Sequence, residues 1–214
     1  AFWAKQADAY VTFFKKWDKV EDFNFDVRKG PIHVRYFEGA KLNVAYNCLD
    51  RQLEKRGNKV AIQWVGNEPT EERAITYREL HKEVCKLANA LKHHGIKKSD
   101  RVLIYMPMSV QVVVAMQACA RIGATHSVVF GGFSAKSLQE RIIDAGATEV
   151  ITADGQFRGG KEIPLKPVVD EAFAMGGCEG VRNVIVYKRT GSNVPMQAPR
   201  DKWWDDVVKG QPET

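Results

Sequence analysis

The chain has 214 residues, of which 44% are hydrophobic and 27% are charged, a size and composition typical of a globular protein with one large core. No apolar run reaches the roughly 20 residues that span a bilayer, and the basic residues alternate with acidic ones, so the sequence argues against a membrane or a nucleic acid as partner. The net charge of +6 is better suited to a phosphorylated small molecule.

The first 41 residues are rich in aromatic side chains and are predicted to form an N-terminal extension that packs on the rest of the chain. Aromatic residues from Phe2 to Trp17 recur at helical spacing, so we expect a helix whose aromatic face is buried. Residues 27–37 then predict a loop that leads into a short strand. No basic leader precedes an apolar segment, and we therefore predict a cytoplasmic protein without a signal peptide.

The segment that follows the extension predicts a helix, a strand and a second helix. The first helix is predicted over 43–57 and the strand over 59–66, followed by a polar turn over 66–73. Thr76 and Glu79 stand three residues apart, as in a capping box, and predict the start of a long amphipathic helix.

The rest of the chain continues to alternate between apolar strands and helices of 10 to 20 residues. Further strands are predicted over 101–107, 125–130, 148–154 and 183–191, and helices over 109–124, 134–147 and 164–177. This alternation predicts βαβ units and an α/β fold with an open, mostly parallel sheet flanked by helices, which we assign to residues 42–214. Ligands of such sheets bind outside the carboxyl ends of the strands.

One loop at those carboxyl ends has the spacing of a nucleotide-binding P-loop, G-x-x-x-x-G-K. Gly155, Gly160 and Lys161 match the pattern, but Glu162 stands where a Ser or Thr hydroxyl would hold the magnesium ion. Two prolines, Pro164 and Pro167, also delay the helix whose free amides would surround the phosphates. The sequence therefore argues against a P-loop.

The same loop and the loop before it allow a different phosphate site. Arg158 and Lys161 flank two glycines and offer a planar fork and a point charge to a phosphate group. In "FGGFS", Gly131 and Gly132 precede Ser134, which is predicted to cap a helix whose N-terminus attracts anions. The alternative interpretation of both loops is an ordinary exposed glycine turn.

Other reactive side chains give no recognisable site. The four cysteines lie far apart without a C-x-x-C pair, so we expect buried, reduced thiols and neither a zinc site nor a disulfide framework. None of the five histidines stands in a spacing pattern that indicates a catalytic or metal site. The sequence therefore predicts no catalytic residue and no metal ligand.

Several segments together resemble the acetyl-coenzyme A synthetases of the acyl-adenylate-forming enzymes. They include "YFEGAKLNVAYNCLDR", residues 75–124, residues 118–172 and "RDKWWDDVV", so that the resemblance extends over essentially the whole chain. The resemblance implies an AMP-forming acetate–CoA ligase, in which acetate attacks the α-phosphate of ATP and the thiol of coenzyme A then takes the acetyl group. The implied cofactors are ATP, Mg²⁺ and coenzyme A, and the implied substrate is acetate.

The resemblance also assigns binding residues. The family's R-[GA]-G-[RK] element, which binds the nucleotide end of coenzyme A, matches Arg158, Gly159, Gly160 and Lys161. The second glycine of the family's F-G-G-F loop, beside the tunnel for the pantetheine arm, matches Gly132. Lys161 at the last position of the first element keeps the charge but loses the planar fork of an arginine.

Other parts of the family pattern are not found in the chain. The Ser/Thr/Gly-rich ATP loop, the acetate pocket and the essential lysine of the C-terminal domain have no match, so the ATP and Mg²⁺ sites are expected outside these residues. We therefore expect 42–214 to be a partial adenylate-forming domain, truncated before the ATP loop. The remainder of its own polypeptide would be its partner, and the chain alone is expected to be inactive.

Two alternatives remain open at the level of sequence. The first is a propionate–CoA ligase of the same family, because the residues that distinguish the acyl group are not in the chain. The second is a non-catalytic α/β module that binds a phosphorylated ligand or another protein.

Overall fold

The computed structural model describes residues 2–68 and 70–214; Ala1 of the predicted extension and Pro69 of the predicted polar turn lie outside the described residues. The helices are α1 (Phe2–Tyr10), α2 (Val44–Cys48), α3 (Leu53–Arg56), α4 (Tyr77–His93), α5 (Val110–Ile122), α6 (Ala135–Ala145), α7 (Lys166–Ala174) and α8 (Trp204–Val208). The strands are β1 (Lys19–Asn24), β2 (His33–Glu38), β3 (Val60–Val65), β4 (Glu72–Thr76), β5 (Arg101–Met106), β6 (Thr125–Phe130), β7 (Glu149–Ala153), β8 (Gly155–Arg158), β9 (Lys161–Pro164), β10 (Asn183–Tyr187) and β11 (Asp201–Trp203). Among the residues that the structure describes, no helix has the length and apolar character needed to cross a membrane.

A five-stranded sheet with the order β11-β10-β7-β5-β6 forms the centre of the molecule, and all its neighbouring strands are parallel. In β5, Ile104 lies beside Val128 of β6 and beside Ile151 of β7. The predicted α/β fold with a parallel sheet flanked by helices is confirmed. Strand β11 was not predicted, because a strand of three residues after a proline-rich segment leaves little periodicity.

The alternation of side chains in β5 explains why both faces of the sheet are covered. Val102 and Ile104 face one core, with α4, α5 and α8, whereas Leu103 and Tyr105 face a second core, with α6 and α7. Because successive side chains of a strand point to opposite faces, a continuous apolar run buries both faces at once.

The capping box predicted for α4 is present. The Glu79 amide donates to Thr76 Oγ1 at 3.2 Å, and the Thr76 amide donates to Glu79 Oε2 at 2.8 Å. Leu80, Leu87 and Leu91 of this helix are buried, as its apolar spacing predicts.

The buried aromatic helix predicted for the N-terminus is wrong. Helix α1 ends at Tyr10, so the later aromatics are not helical, and Phe2, Trp3 and Tyr10 are each more than half exposed. Phe13 and Trp17 instead pack in a small cluster with other aromatics of the extension, with their ring centroids 5.2 Å apart. The short strand predicted at the end of 27–37 is present as β2, which pairs with β1.

The single helix predicted over 43–57 is divided into α2, a 3₁₀ turn and α3. Leu49 has φ −118° and ψ −67°, which interrupts the regular helix while its side chain is buried in the core. The polar turn predicted over 66–73 is shorter than expected, since Glu72 and Arg73 already belong to β4, which pairs with β3.

Three of the four cysteines are buried as expected, but Cys48 is exposed. All four are free thiols. Burial raises the pKa of the Cys119 thiol to about 12 and also raises the pKa values of Cys85 and Cys178, so these thiols are protonated at neutral pH.

Asp154, directly after β7, organises the loops at the carboxyl edge of the sheet. Its fully buried carboxylate accepts hydrogen bonds from the amides of Gly155 (2.7 Å), Arg189 (2.7 Å), Thr190 (3.0 Å) and Gly191 (2.7 Å). Its carbonyl oxygen accepts from the amide of Leu165 at 3.1 Å, just before α7. One residue therefore fixes the start of the β8–β9 hairpin and the loop after β10.

A buried ion cluster holds the segment between β10 and β11 against α7. The Lys166 ammonium group, fully buried, lies 2.7 Å from Asp170, 2.8 Å from Asp201 and 2.9 Å from the carbonyl oxygen of Pro195. Arg200 contacts both carboxylates. Burial opposes the ionised form of Asp201, but hydrogen bonds from Arg200, the Gln197 amide and Lys166 outweigh it and lower the pKa of Asp201.

We expect Asp154→Ala to lower the free energy of unfolding by about 3 kcal/mol, because several buried amides lose a charged acceptor. Asp154→Asn should cost less, since it keeps one acceptor oxygen. Urea denaturation followed by circular dichroism measures both values. Equal stability of the alanine variant and the parent protein would contradict the role given to this carboxylate.

We expect Asp201→Asn to cost about 3 kcal/mol at pH 7, because Lys166 would lose a charged partner inside the protein. The pKa of Asp201 is lower in the folded than in the unfolded state, where it is about 3.9. The stabilisation is therefore present above that pH and is lost as the pH falls through the folded-state pKa. Urea titrations from pH 7 to 3 should show a flatter acid dependence for Asp201→Asn than for the exposed control Asp206→Asn.

Candidate functional site

The chain reverses its direction of travel across the sheet at β5, and the loops at this place form the candidate site. After β5 the chain passes through α5 to the edge strand β6, and then returns through α6 to β7 on the other side of β5. Such a switch leaves a crevice outside the carboxyl ends of the strands, where α/β proteins bind ligands. The loops that surround it are 107–109, 131–134, 155–164 and 188–191.

The loop with the P-loop spacing is a β-hairpin. Strands β8 and β9 pair in antiparallel fashion, and Arg158 is directly opposite Lys161. Gly159 and Gly160 form the two-residue turn with φ values of +58° and +71°, a left-handed conformation that glycine adopts at low cost. Helix α7 begins only at Lys166. The prediction that this loop is not a P-loop is consistent with this geometry, since no helix N-terminus follows the glycines.

The conformation of the turn accounts for Gly159 and Gly160. A Cβ atom at Gly159 or Gly160 would meet no atom within 4 Å. Their conformation, and not crowding by a neighbouring group, therefore requires glycine in the structure.

The glycine loop after β6 lies against this hairpin. The side-chain amide of Gln156 donates to the carbonyl oxygen of Gly131 at 2.6 Å, and the Arg158 guanidinium lies 5.2 Å from the centre of the Phe130 ring. Ser134 caps α6 by accepting from the Ser137 amide, as predicted. The two loops that sequence analysis selected separately are neighbours in the fold.

Tyr105 of β5 holds the glycine loop, residues 131–134, through a hydrogen bond. Its hydroxyl group donates to the carbonyl oxygen of Phe133 at 3.0 Å. Burial raises the pKa of Tyr105, so the hydroxyl remains a donor at neutral pH. The loop is thereby attached to β5, next to the edge strand of the sheet.

Gly132 has no room for a side chain. A Cβ atom there would lie 2.6 Å from Cε1 of Phe130 and 3.2 Å from Nη1 of Arg158. Any larger residue would displace the ring or the guanidinium group. The structure thus brings Gly132 next to Arg158, two residues that the sequence linked only through the resemblance.

The two cations of the hairpin are exposed and lack a carboxylate partner. Within residues 2–68 and 70–214, neither Arg158 nor Lys161 forms an ion pair, whereas neighbouring Glu162 is hydrogen-bonded to Ser192. Two like charges directly opposite each other on paired strands destabilise a hairpin. The arrangement can therefore bind an anionic group such as a phosphate.

A cleft of about 350 Å³ opens beside these loops. Its lining includes Trp64, Phe130, Phe157, Arg158 and Arg189. The combination of aromatic faces with the Arg158 guanidinium group is suited to planar, anionic ligands.

A larger cavity of about 580 Å³ lies between the later parts of α4 and α5, with Cys85, Lys92 and Arg121 in its lining. The C-terminal end of α5 leads into the amino end of β6, so this cavity lies away from the carboxyl ends of the strands. Because ligands of open α/β sheets bind outside the carboxyl ends of the strands, we assign the site to the smaller cleft.

Sequence analysis missed Asp154, Arg189 and the aromatic residues Trp64 and Phe157. The sequence signal for Asp154 was an acidic residue followed by glycine at the end of a buried strand. The signal for Arg189 was an arginine just after the next buried strand of the sheet. Trp64 gave no signal, because it reaches the site from a hairpin outside the main sheet.

Comparisons with known proteins support the family resemblance of the sequence. Residues 49–213 match the family model of the AMP-binding enzymes, and residues 1–48 match the model described as acetyl-coenzyme A synthetase N-terminus. The acetyl-coenzyme A synthetase of Cupriavidus taiwanensis is 56% identical over 214 residues, which are 100% of this chain and 32% of that protein. The acetyl-coenzyme A synthetase of Nitrosomonas europaea is 52% identical over 213 residues, 99% of this chain and 32% of that protein.

A solved structure shares the fold. Acetoacetyl-CoA synthetase from Streptomyces lividans superimposes with a TM-score of 0.86 at 27% identity, covering 99% of this chain and 31% of that chain. The chain thus spans about a third of the length of the proteins it matches. Because the matching family model extends over residues 49–213, well over half of the sequence, the chain belongs to the AMP-binding enzyme family.

Proposed function

We propose that this chain is the N-terminal part of an AMP-forming acetate–CoA ligase and that it supplies part of the coenzyme A site. The observation that carries the proposal is the pair of cations, Arg158 and Lys161, which form no ion pair among the residues that the structure describes and lie beside Gly132. The identity to acetyl-coenzyme A synthetases along the whole chain supports the choice of acetate as substrate.

Each residue of the proposed site has a physical role. The Arg158 guanidinium offers a planar fork to a phosphate of the coenzyme A nucleotide, and Lys161 adds a point charge across the turn. Gly159 and Gly160 make the turn that presents both cations. Gly132 allows the Phe130 ring and the Arg158 guanidinium to pack against the loop, so that both are held where the pantetheine arm would pass.

Coenzyme A, when bound, would supply the thiol that accepts the acetyl group. ATP and Mg²⁺ would activate acetate at segments outside these 214 residues, because the family's Ser/Thr/Gly-rich ATP loop has no match in this sequence. The remaining polypeptide would therefore be needed for catalysis. Since the substrates are water-soluble metabolites, we place the protein in the cytoplasm.

The two alternatives are separable by experiment. A propionate–CoA ligase would share this coenzyme A site and differ only in the acyl pocket, so acyl competition assays on the full-length protein distinguish the two. A non-catalytic module would bind a phosphorylated ligand without any acetate-dependent exchange between ATP and pyrophosphate.

We expect Arg158→Ala in the full-length protein to raise the KM for coenzyme A roughly ten- to hundredfold, because a charge-assisted hydrogen bond to phosphate is lost. Acetate-dependent ATP–pyrophosphate exchange should be unchanged, since it precedes the use of coenzyme A. The matched control is Arg182→Ala, an exposed arginine before β10, at the opposite edge of the sheet. Equal losses in both assays would refute the coenzyme A assignment.

We expect Gly132→Ala to raise the KM for coenzyme A roughly tenfold, because the new methyl group displaces Phe130 or Arg158 from the ligand surface. Gly180→Ala is the control, since its Cβ atom would lie 3.8 Å from the carbonyl oxygen of Ala147, an ordinary contact. Steady-state kinetics with varied coenzyme A measures both. An unchanged KM in Gly132→Ala would show that the surface beside Arg158 is not used.

A further inference from the structure

Arg189 connects three separate segments around the cleft. Its guanidinium group forms a double ion pair with Glu71, with Nη1–Oε1 and Nη2–Oε2 distances of 2.7 and 2.8 Å. The same group lies 5.1 Å from the centre of the Trp64 ring and 5.2 Å from that of Phe157. The contacts therefore join the β3–β4 hairpin, the β8–β9 hairpin and the loop after β10.

The environment of Arg189 is built for these contacts. Its side chain is only 13% exposed, and its backbone amide donates to the Asp154 carboxylate at 2.7 Å. Glu71 can approach because Gly66 has no side chain: a Cβ atom there would lie 2.0 Å from Glu71 Oε2. Both ends of the arginine, backbone and guanidinium, are thus held.

The guanidinium group itself is already occupied. Its two terminal nitrogens donate to Glu71, and its face contacts aromatic rings, so little of it is available for a phosphate. Arg158, by contrast, has no carboxylate partner among the residues that the structure describes. The two arginines of the cleft therefore differ in what they can do: one is available to a ligand, and the other is committed to the protein.

We propose that Arg189 is a positioning residue, which fixes the β8–β9 hairpin through its contact with Phe157. Arg158, the next residue, then meets the ligand in one orientation. This proposal rests on the proposed coenzyme A site. Phe157 and Arg158 are consecutive, so a shift of the ring that contacts Arg189 moves the backbone that carries the phosphate-binding cation. The effect on binding is exerted through Arg158 and not by contact of Arg189 with the ligand.

The first test is a double-mutant cycle in the full-length protein. Arg189→Ala should raise the KM for coenzyme A roughly five- to tenfold, as expected for the loss of contacts of this kind, and leave acetate-dependent ATP–pyrophosphate exchange unchanged. In an Arg158→Ala background, the same substitution should change the KM by less than about twofold, because the residue it acts through is gone. Independent, additive effects would overturn the proposal.

Two milder variants keep the test valid if Arg189→Ala folds poorly. Glu71→Gln removes the charge partner but leaves both aromatic contacts, and Phe157→Leu keeps an apolar side chain but removes the ring face. Both should raise the KM for coenzyme A less than Arg189→Ala and in the same direction. Arg182→Ala, at the other end of β10, is the control. A normal KM in Phe157→Leu would contradict the route through that ring.

The second test needs no ligand and separates this proposal from the proposed function. Hydrogen–deuterium exchange of the amides in 155–164 should be faster in Arg189→Ala than in Arg182→Ala. Unchanged exchange would overturn the positioning role whatever the kinetics show. Faster exchange, combined with a normal KM for coenzyme A in both Arg158→Ala and Arg189→Ala, would support the positioning of the hairpin and refute the coenzyme A site.

Discussion

The Asp154 carboxylate is the interaction on which the candidate site depends. It is buried, forms no ion pair among the residues that the structure describes, and accepts hydrogen bonds from backbone amides of two loops, those of Gly155 and of 189–191. Because an ionised carboxylate inside a protein requires such donors, the loops cannot separate without leaving a buried charge unsatisfied. The hairpin that presents Arg158 and the loop that carries Arg189 therefore have a fixed relation to each other and to β7.

This constraint explains how a surface cleft acquires defined geometry. The parallel sheet provides the strand ends from which the loops extend. Hydrogen bonds to Asp154, the Gln156–Gly131 contact and the cation–aromatic contacts of Arg189 then fix these loops in place. Polar and aromatic contacts are directional, so they fix the orientation of the loops as well as their separation.

The parts of the fold that the sequence predicted correctly are those set by local physics. The α4 capping box, the Ser134 cap and the apolar strands involve neighbours within a few residues, so composition and spacing identify them. The Gly159–Gly160 turn was one of the interpretations that the sequence left open, since two consecutive glycines favour a two-residue hairpin turn. The contacts of Arg189 could not be predicted, because Glu71 is 118 positions away in the chain.

The β8–β9 hairpin keeps two positive charges opposite each other, a pairing that disfavours folding. Arg158 and Lys161 are opposite each other with no carboxylate within ion-pair distance in the described residues, and this repulsion works against the pairing of β8 with β9. A sequence selected for stability alone would place opposite charges there. An anion bound between the two cations would be attracted to both of them. The repulsion that disfavours folding of the hairpin would then favour binding of the anion. Such conflicts between a local rule and the fold are typical of functional sites, and here the contacts of Asp154 and Arg189 hold the hairpin in place against the repulsion.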